Sequence, residues 1–356
     1  MSQNHGNKFS YEPELRERVV FLQMPTGYDM SKGSTTTQRG LVSVILVNLN
    51  GLMFIGPLFQ SLLRQTYSPL EILFFDNGST DGSVEYVRKN FQSVRVIELP
   101  RNMGFCRPNN EGIKKSRGQY IFTLNLDVVL NEDFIEKLVK AIETDPHVGW
   151  AAGKMLKLTP KGRTDEIDCL GHHFHRDRYA KETDHSRPFR WNDYSHDRYV
   201  FGASGCAALY RRVMLNDVAV GGQYFDEDFV AYWEDVDLDW RAQLRGWKCL
   251  YTPEAIGYHV RGGSGLYKKP EISALYLANH FLMIIKNDEL AHFLEDLVPL
   301  VARGIRDFLL YLRNCPLAVP LALKMLLKKV PHALLKRQTI KRGRRVPSSY
   351  IRGLIR

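Results

Sequence analysis

The sequence has little cysteine, and none of it is arranged in pairs. Its five cysteines, at 106, 169, 206, 249 and 315, are scattered, odd in number and without a C-x-x-C spacing. That argues against a disulfide framework or a structural zinc site and suits a reducing cytosol. No G-x-G-x-x-G turn and no P-loop occur, so nothing marks a dehydrogenase or an NTPase. Long apolar runs are missing too. Gly40 to Leu63 is uncharged, but Asn48, Asn50, Gly51, Pro57 and Gln60 interrupt it. It reads as a buried strand, a loop and a helix around 56–65, not as a membrane span. Residues 1–40 are mostly polar, show no signal peptide and read as a poorly ordered leader, which leaves the Asn77-Gly78-Ser79 sequon without a secretory context.

Acid is scarce at the other end. Val301 to Arg356 holds 14 Lys or Arg and one acid, Asp307, a balance of +13, whereas residues 1–300 carry −3 of the net +10. Electrostatic partners are therefore expected at the tail. Val301, Ile305, Phe308, Leu309 and Leu312 fall there at helical spacing among Arg303, Arg306 and Arg313, and "LALKMLLKKVPHALLKR" repeats the theme. The longest uncharged run, Asn314 to Leu323, is too short to span a bilayer. Basic amphipathic helices on a membrane surface are the favoured reading, with a helical appendage packed on the main domain, as a dimer contact, the alternative. The favoured reading carries the expectation that residues 301–356 can be removed from a domain that stays folded.

What is present is alternation. "LVSVILVNL", "LEILFFDN", "VRVIELP" and "GQYIFTLNLD" read as strands with helical segments between them, which predicts an α/β fold with a mostly parallel sheet flanked by helices. Asn48, Asp76, Asn102 and Asp127 fall at strand ends, where such sheets bind ligands. Residues 150–200 loosen into a polar stretch. Its His172, His173 and His175 have no acidic or Cys partner at zinc spacing and read as an exposed loop. "YWEDVDLDWR" then packs Glu234, Asp235, Asp237 and Asp239 into a helix start. The stripe Val236, Trp240, Leu244 and Trp247 turns to the core, with Asp235 and Asp239 pointing away. A calcium loop fails on spacing, because Trp240 and Gly246 occupy the positions that need Gly and Glu. Local pattern leaves two readings, acids that merely favour a helix N-terminus and a catalytic cluster.

In order, "VSVILVNLN", "DNGSTDGS", "RNMGFCRPNNEG", "LNLD", "GASGCAAL", "EDVDLDWRAQLRGW" and "YHVRGGS" resemble the motifs of family 2 inverting glycosyltransferases with a GT-A fold. The similarity covers roughly residues 41–265 and is strongest to bacterial members that extend polysaccharides and lipid-linked glycans, many of them rhamnosyltransferases. It implies a GT-A domain over 41–290 and a basic helical appendage over 291–356. The implied donor is a UDP- or dTDP-sugar, dTDP-rhamnose first, and the acceptor a glycan or lipid-linked saccharide.

The resemblance also assigns residues. Asp76 matches the acid that accepts N3–H of uracil or thymine, with Asn48 beside it; Asn102, Gly104 and Asn109 lie in the turn around nucleoside and diphosphate. Arg107 is either a phosphate partner or solvent-facing. Asp127 and His259 match the ligands of a Mg²⁺ or Mn²⁺ ion on the diphosphate, Asn125 replacing the first Asp of D-x-D. Asp235 matches the general base, with Glu234 as its companion and Gly205 and Asp237 on the acceptor side. Leu49 stands where the family often has Tyr, which removes a stacking surface for the base. The implied location is cytoplasmic, peripheral on the inner face of the cell membrane, with a second copy of the chain as a further partner. Two other classes compete: a nucleic-acid-binding protein, suggested by "KRQTIKRGRR", and an inactive transferase-like scaffold.

Overall fold

The computed structural model describes residues 37–182, 195–260 and 269–356; the leader at 1–40 therefore falls almost wholly outside the described residues. The first half alternates as the sequence predicts. β1 (Gln38–Asn48), α1 (Leu52–Leu63), β2 (Leu70–Asp76), α2 (Ser83–Asn90), β3 (Arg95–Glu98), α3 (Cys106–Lys115) and β4 (Gly118–Leu124) follow one another. Short β5 (Val128–Leu130) and α4 (Phe134–Glu143) lead into β6 (Val148–Thr159), β7 (Gly162–Cys169), β8 (His173–Phe174) and β9 (Ala180–Lys181). The stretch expected to loosen after residue 150 is thus largely strand. Arg163, Asp165 and Glu166 hold exposed positions of β7, so there a half-exposed strand carries the polarity of a loop, while residues 183–194 of the polar stretch lie outside the described residues. Then come β10 (Arg198–Val200), β11 (Ala207–Arg211), α5 (Arg212–Val218), α6 (Glu234–Leu244) and β12 (Lys248–His259). Five helices finish the chain: α7 (Pro270–Asn287), α8 (Leu290–Glu295), α9 (Leu297–Asn314), α10 (Ala318–Arg342) and α11 (Ser348–Leu354).

The main sheet runs β10-β12-β6-β11-β4-β1-β2-β3, with β5 on β12 and β7 on β6. Strands β4, β1, β2 and β3 pair in parallel, β12 is parallel to β6, and β11 lies antiparallel between β4 and β6. A parallel strand covered on both faces needs apolar residues at nearly every position, as β1 has. Val42, Val44 and Leu46 enter one core with Ile55 and Phe59 of α1 and Leu138 of α4. Ile45 enters the opposite core, with Ile113 of α3, Trp240 of α6 and Met283 of α7. Three layers result.

Register then places polar ends together. Asn48 closes β1 directly opposite Asp76 at the end of β2, and His259 at the end of β12 lies opposite Val128, one residue beyond Asp127. The C-terminal helices are joined to the main domain. Ala333 and Ile340 of α10 and Ile351 of α11 belong to the same core as Trp240, so removal of 301–356 would open that core, contrary to expectation. No helix among the described residues is long and apolar enough to cross a membrane.

Candidate active site

At the end of β1, Asn48 is wholly buried and organises the turn beyond β2. Its Nδ2 donates to Asp76 Oδ1 at 2.7 Å and to the hydroxyls of Ser79 and Ser83, while Oδ1 accepts from the Gly51 amide. Asp76 Oδ2 accepts the amides of Gly78 and Ser79 at 3.0 and 2.9 Å. A carboxylate offers about four lone-pair sites, so three donors leave room for one more. Asn48 has no such reserve and supports Asp76 from behind. Leu49 is 46% exposed.

The turn after β3 is held by Asn102, which the strand-end pattern marked, and by Asn77, which it did not. Asn77 bridges to the Gly104 carbonyl and the Met103 amide, and Asn102 Oδ1 accepts from the Gly104 amide. Gly104 has φ +80°, and a Cβ there would lie 2.6 Å from the Val230 carbonyl oxygen; glycine is required on both counts. Asn109 is buried, donates to the Phe105 carbonyl and keeps an unpartnered Oδ1; Arg107 is exposed. Asn110 fastens this helix to the 223–233 loop through Phe225, Tyr224 and Glu227. That loop carries Val230, Tyr232 and Trp233 at φ +64°, +69° and +70°. Such backbone costs about 1–3 kcal/mol per residue unless neighbours impose it. Here Asn279 of α7 donates to the carbonyls of Phe229, Ala231 and Tyr232, and Val230 O accepts the amides of Phe105 and Cys106.

Asp127 and His259 meet. His259 Nε2 is 3.4 Å from Asp127 Oδ1, and its Nδ1 is 2.9 Å from Asp168 Oδ2, on a carboxylate that is only 1% exposed. Burial works against a charge on this ring, but hydrogen bonds and charge from Asp127 and Asp168 outweigh it and lift its pKa to about 9. Asp168 was missed, because in "EIDCLG" it reads as one more alternating strand residue.

The acids opening α6 separate sharply. Asp235 is the reachable one, at 17% side-chain exposure; Oδ2 accepts the Gly205 amide at 3.0 Å and Oδ1 that of Val236 at 2.8 Å. Gly205 therefore touches Asp235 itself. Glu234 is buried with Oε2 unpartnered, and burial together with the charge of Asp235 pushes its pKa well above the carboxylate range. Asp237 is fully buried, its oxygens spent on Lys286, Arg241 and Asn287, which leaves no face for an acceptor. Asp239, expected to point away from the core, is also fully buried and lies 2.7 Å from His172 Nδ1. The histidine stretch is no exposed loop: His172, His173 and His175 are 3%, 2% and 9% exposed. β8 draws them under the helices.

Cys206 ties the two acidic groups together. Its carbonyl accepts the Asn125 amide. Burial, followed by the charges of Asp168, Asp127 and Asp235, pushes its thiol up to about 12 despite a bond to Ser204. The Gly205–Cys206 backbone thus joins Asp235 to the turn that carries Asn125 and Asp127.

Residues 43–219 match the family model described as Glycosyl transferase family 2. The chain carries a glycosyltransferase family 2 domain. An uncharacterized glycosyltransferase of Haemophilus influenzae is 31% identical over 121 residues, 33% of this chain and 37% of that protein. A poly-beta-1,6-N-acetyl-D-glucosamine synthase of Staphylococcus epidermidis is 24% identical over 221 residues, 60% of this chain and 48% of that protein. The chain thus spans less than half the length of either relative. Among solved structures, GalNAc-T7 with UDP, GalNAc and Mn²⁺ superposes at TM-score 0.55 and 16% identity, over 73% of this chain and 49% of that one. The mannosyltransferase PcManGT of Pyrobaculum calidifontis, with GDP-Man and Mn²⁺, gives 0.52 and 18%, over 89% and 84%. TarS 1–349 of S. aureus gives 0.52 and 19%, over 88% and 91%. The family 2 domain accordingly has the GT-A architecture, with its C-terminal helices attached.

The cation implied by the family resemblance fits the residues present. Among the described residues no three His, Cys, Asp or Glu side chains converge into a metal cage. A carboxylate and an imidazole that also rely on substrate phosphates are a common arrangement for Mg²⁺ or Mn²⁺. Asp168 on Nδ1 would leave Nε2 as the nitrogen to hold a cation, the usual support for a metal-binding histidine.

Proposed function

We propose that this protein is an inverting glycosyltransferase that moves a sugar from a uracil or thymine nucleoside diphosphate to a saccharide hydroxyl. The observation that carries the reading is a backbone link between two acidic centres: Gly205 N–H binds Asp235 Oδ2, and the carbonyl of the next residue accepts the amide of Asn125, two residues before Asp127, which faces His259 at 3.4 Å. Asp127 and His259 would hold a divalent cation, which when bound offsets charge on the departing diphosphate. Asp235, oriented by the Gly205 and Val236 amides, takes the proton of the acceptor hydroxyl. The acceptor oxygen bonds to the anomeric carbon as the bond to phosphate breaks, and the nucleoside diphosphate leaves with the electron pair. One base and no covalent intermediate give inversion.

Asp76 with its remaining acceptor site supports a pyrimidine donor, through N3–H. The motif resemblance favours dTDP-rhamnose, and the relatives favour a hexosamine donor. TarS has also been solved with UDP, whereas PcManGT holds GDP-Man, so all three nucleotides belong in the test. The membrane reading of the tail supports a lipid-linked acceptor. It rests on α8 and α9, which expose Leu294, Val298, Val301, Ile305, Phe308 and Leu312.

Calorimetry with UDP, dTDP and GDP in the presence of Mn²⁺ tests the donor class, and preference for GDP over both others overturns it. Asp235→Asn should lower transfer by on the order of 10² to 10⁴ while nucleotide affinity stays within a few-fold, because the base serves the acceptor. Near-full turnover in that variant refutes the assignment.

A further inference from the structure

We propose that His172 is a positioning residue for Asp235: clamped at Nδ1 by Asp239, it presents Nε2 to the carboxylate that receives the acceptor's proton. This rests on the transferase reading for its consequence, but the pairing stands on geometry. The imidazole is 4% exposed, with Nδ1 2.7 Å from Asp239 Oδ2 and Nε2 3.8 Å from Asp235 Oδ2. The second distance is an ion-pair separation longer than a hydrogen bond, of the kind that tightens when a site fills.

The backbone that carries the ring is held in place by two hydrogen bonds to the residues just after β10, His172 N–H to Gly202 O at 2.7 Å and Phe201 N–H to His172 O at 3.1 Å. Gly202 makes room for the clamp, since a Cβ there would lie 1.7 Å from Asp239 Oδ2. Asp239 Oδ1 also receives the Ala203 amide at 3.4 Å. A carboxylate 0% exposed and a histidine 4% exposed would be a costly pair to bury for packing alone. Burial disfavours charge on His172, but the charge of Asp235 and the bond and charge of Asp239 pull harder and raise its pKa. The imidazole lies between the carboxyl groups of Asp239 and Asp235, of which only Asp235 reaches solvent. Placed there it fixes which oxygen of Asp235 faces the protein and leaves the other edge for the acceptor.

The test joins spectroscopy to kinetics. In ¹⁵N-histidine-labelled protein, the ring signals of His172 are assigned by their loss in His172→Gln. Asp235→Asn, nearly isosteric, should move those signals, and Asp239→Asn should move them further. Unchanged His172 signals in Asp235→Asn overturn the pairing. His172→Gln should lower kcat at least tenfold with donor KM changed less than twofold; an unaltered kcat overturns the positioning role. If the wild-type protein turns over no nucleotide sugar, the transferase reading has failed, and the ring signals still decide the pairing.

Discussion

Glu234, Asp235, Asp237 and Asp239 have nearly the same chemistry and four different surroundings, and those surroundings sort their roles. Buried with Oε2 unpartnered, Glu234 has its pKa pushed well up; Asp237 is met by Lys286 and Arg241; Asp239 is bound to His172; Asp235 alone keeps a wetted edge. The same reasoning applies to Asp168, whose carboxylate orients His259. Asp168→Asn should weaken Mn²⁺ binding in the presence of UDP by about 10- to 100-fold. Manganese EPR titration checks it, and wild-type affinity would remove Asp168 from the site. A third residue sets an acid limit on stability. His280 stacks on Trp233 and donates Nε2–H to the Arg178 carbonyl. Burial, aided by the charge of Arg303, lowers its pKa from 6.5 to about 4. Because the folded pKa lies below the unfolded one, its contribution is whole above pH 6.5 and is lost as pH falls towards 4. The loss is on the order of 3 kcal/mol. His280→Gln should therefore flatten the melting-temperature profile between pH 6.5 and 4; profiles that run parallel to wild type contradict this.

At the scale of elements, α6 and α9 show what sequence patterning can and cannot reveal. The stripe Val236, Trp240 and Leu244 correctly marks a core-facing helix, yet α6 is buried on nearly every side. Its polar residues are not a solvated face. Arg241 spends its donors on Asp237 and the carbonyls of Val218 and Tyr224, and Gln243 donates to Phe201 O and accepts from Tyr350. A helix covered by α7, α10 and α11 needs internal partners for its charges, and apart from Asp237 and Arg241, which pair four residues apart, those partners lie 17 to 107 residues away, where no local pattern reaches. Parallel strands with apolar runs were legible for the opposite reason, since each run carries its own burial. In α9 the stripe read from the sequence is the exposed one: Tyr311 and Arg303 turn inward, while Val298 is 80% exposed and Ile305 56%. Arg306 and Arg313 flank this face. An apolar stripe edged with arginine suits an anionic bilayer surface. The triple variant Val298→Asp, Ile305→Asp, Phe308→Asp should stay folded and no longer sediment with phosphatidylglycerol vesicles. Equal sedimentation of variant and wild type would leave that face without a membrane role.

Across the whole molecule, the basic tail closes the fold it follows. Lys336 of α10 reaches Asp226 at 2.5 Å and Asp228 at 2.7 Å, and Asp226 also takes Lys286, which continues to Asp237 at the start of α6. Arg344 pairs with Glu289, Arg345 with Asp217, and Arg352 with Asp296. Much of the positive charge that the sequence offers to outside partners is therefore met within the chain, which counts against a nucleic-acid role. The chain of contacts runs from α10 through Asp226 and Lys286 to the helix that carries Asp235. Deleting 301–356 leaves Asp226 with one cation in place of two, bares the core around Trp240 where Ala333, Ile340 and Ile351 sat, and strips α7 of its covering helix. Breaking a buried ion pair alone costs about 3–5 kcal/mol, a large share of a domain's usual stability. The truncated chain should thus be insoluble or melt well below the full chain, and any soluble fraction should bind nucleotide poorly, because the strained 223–233 loop depends on Asn279 of α7. Differential scanning calorimetry of both forms decides the matter: a truncated protein with the wild-type midpoint would show that the tail is an appendage and not part of the fold.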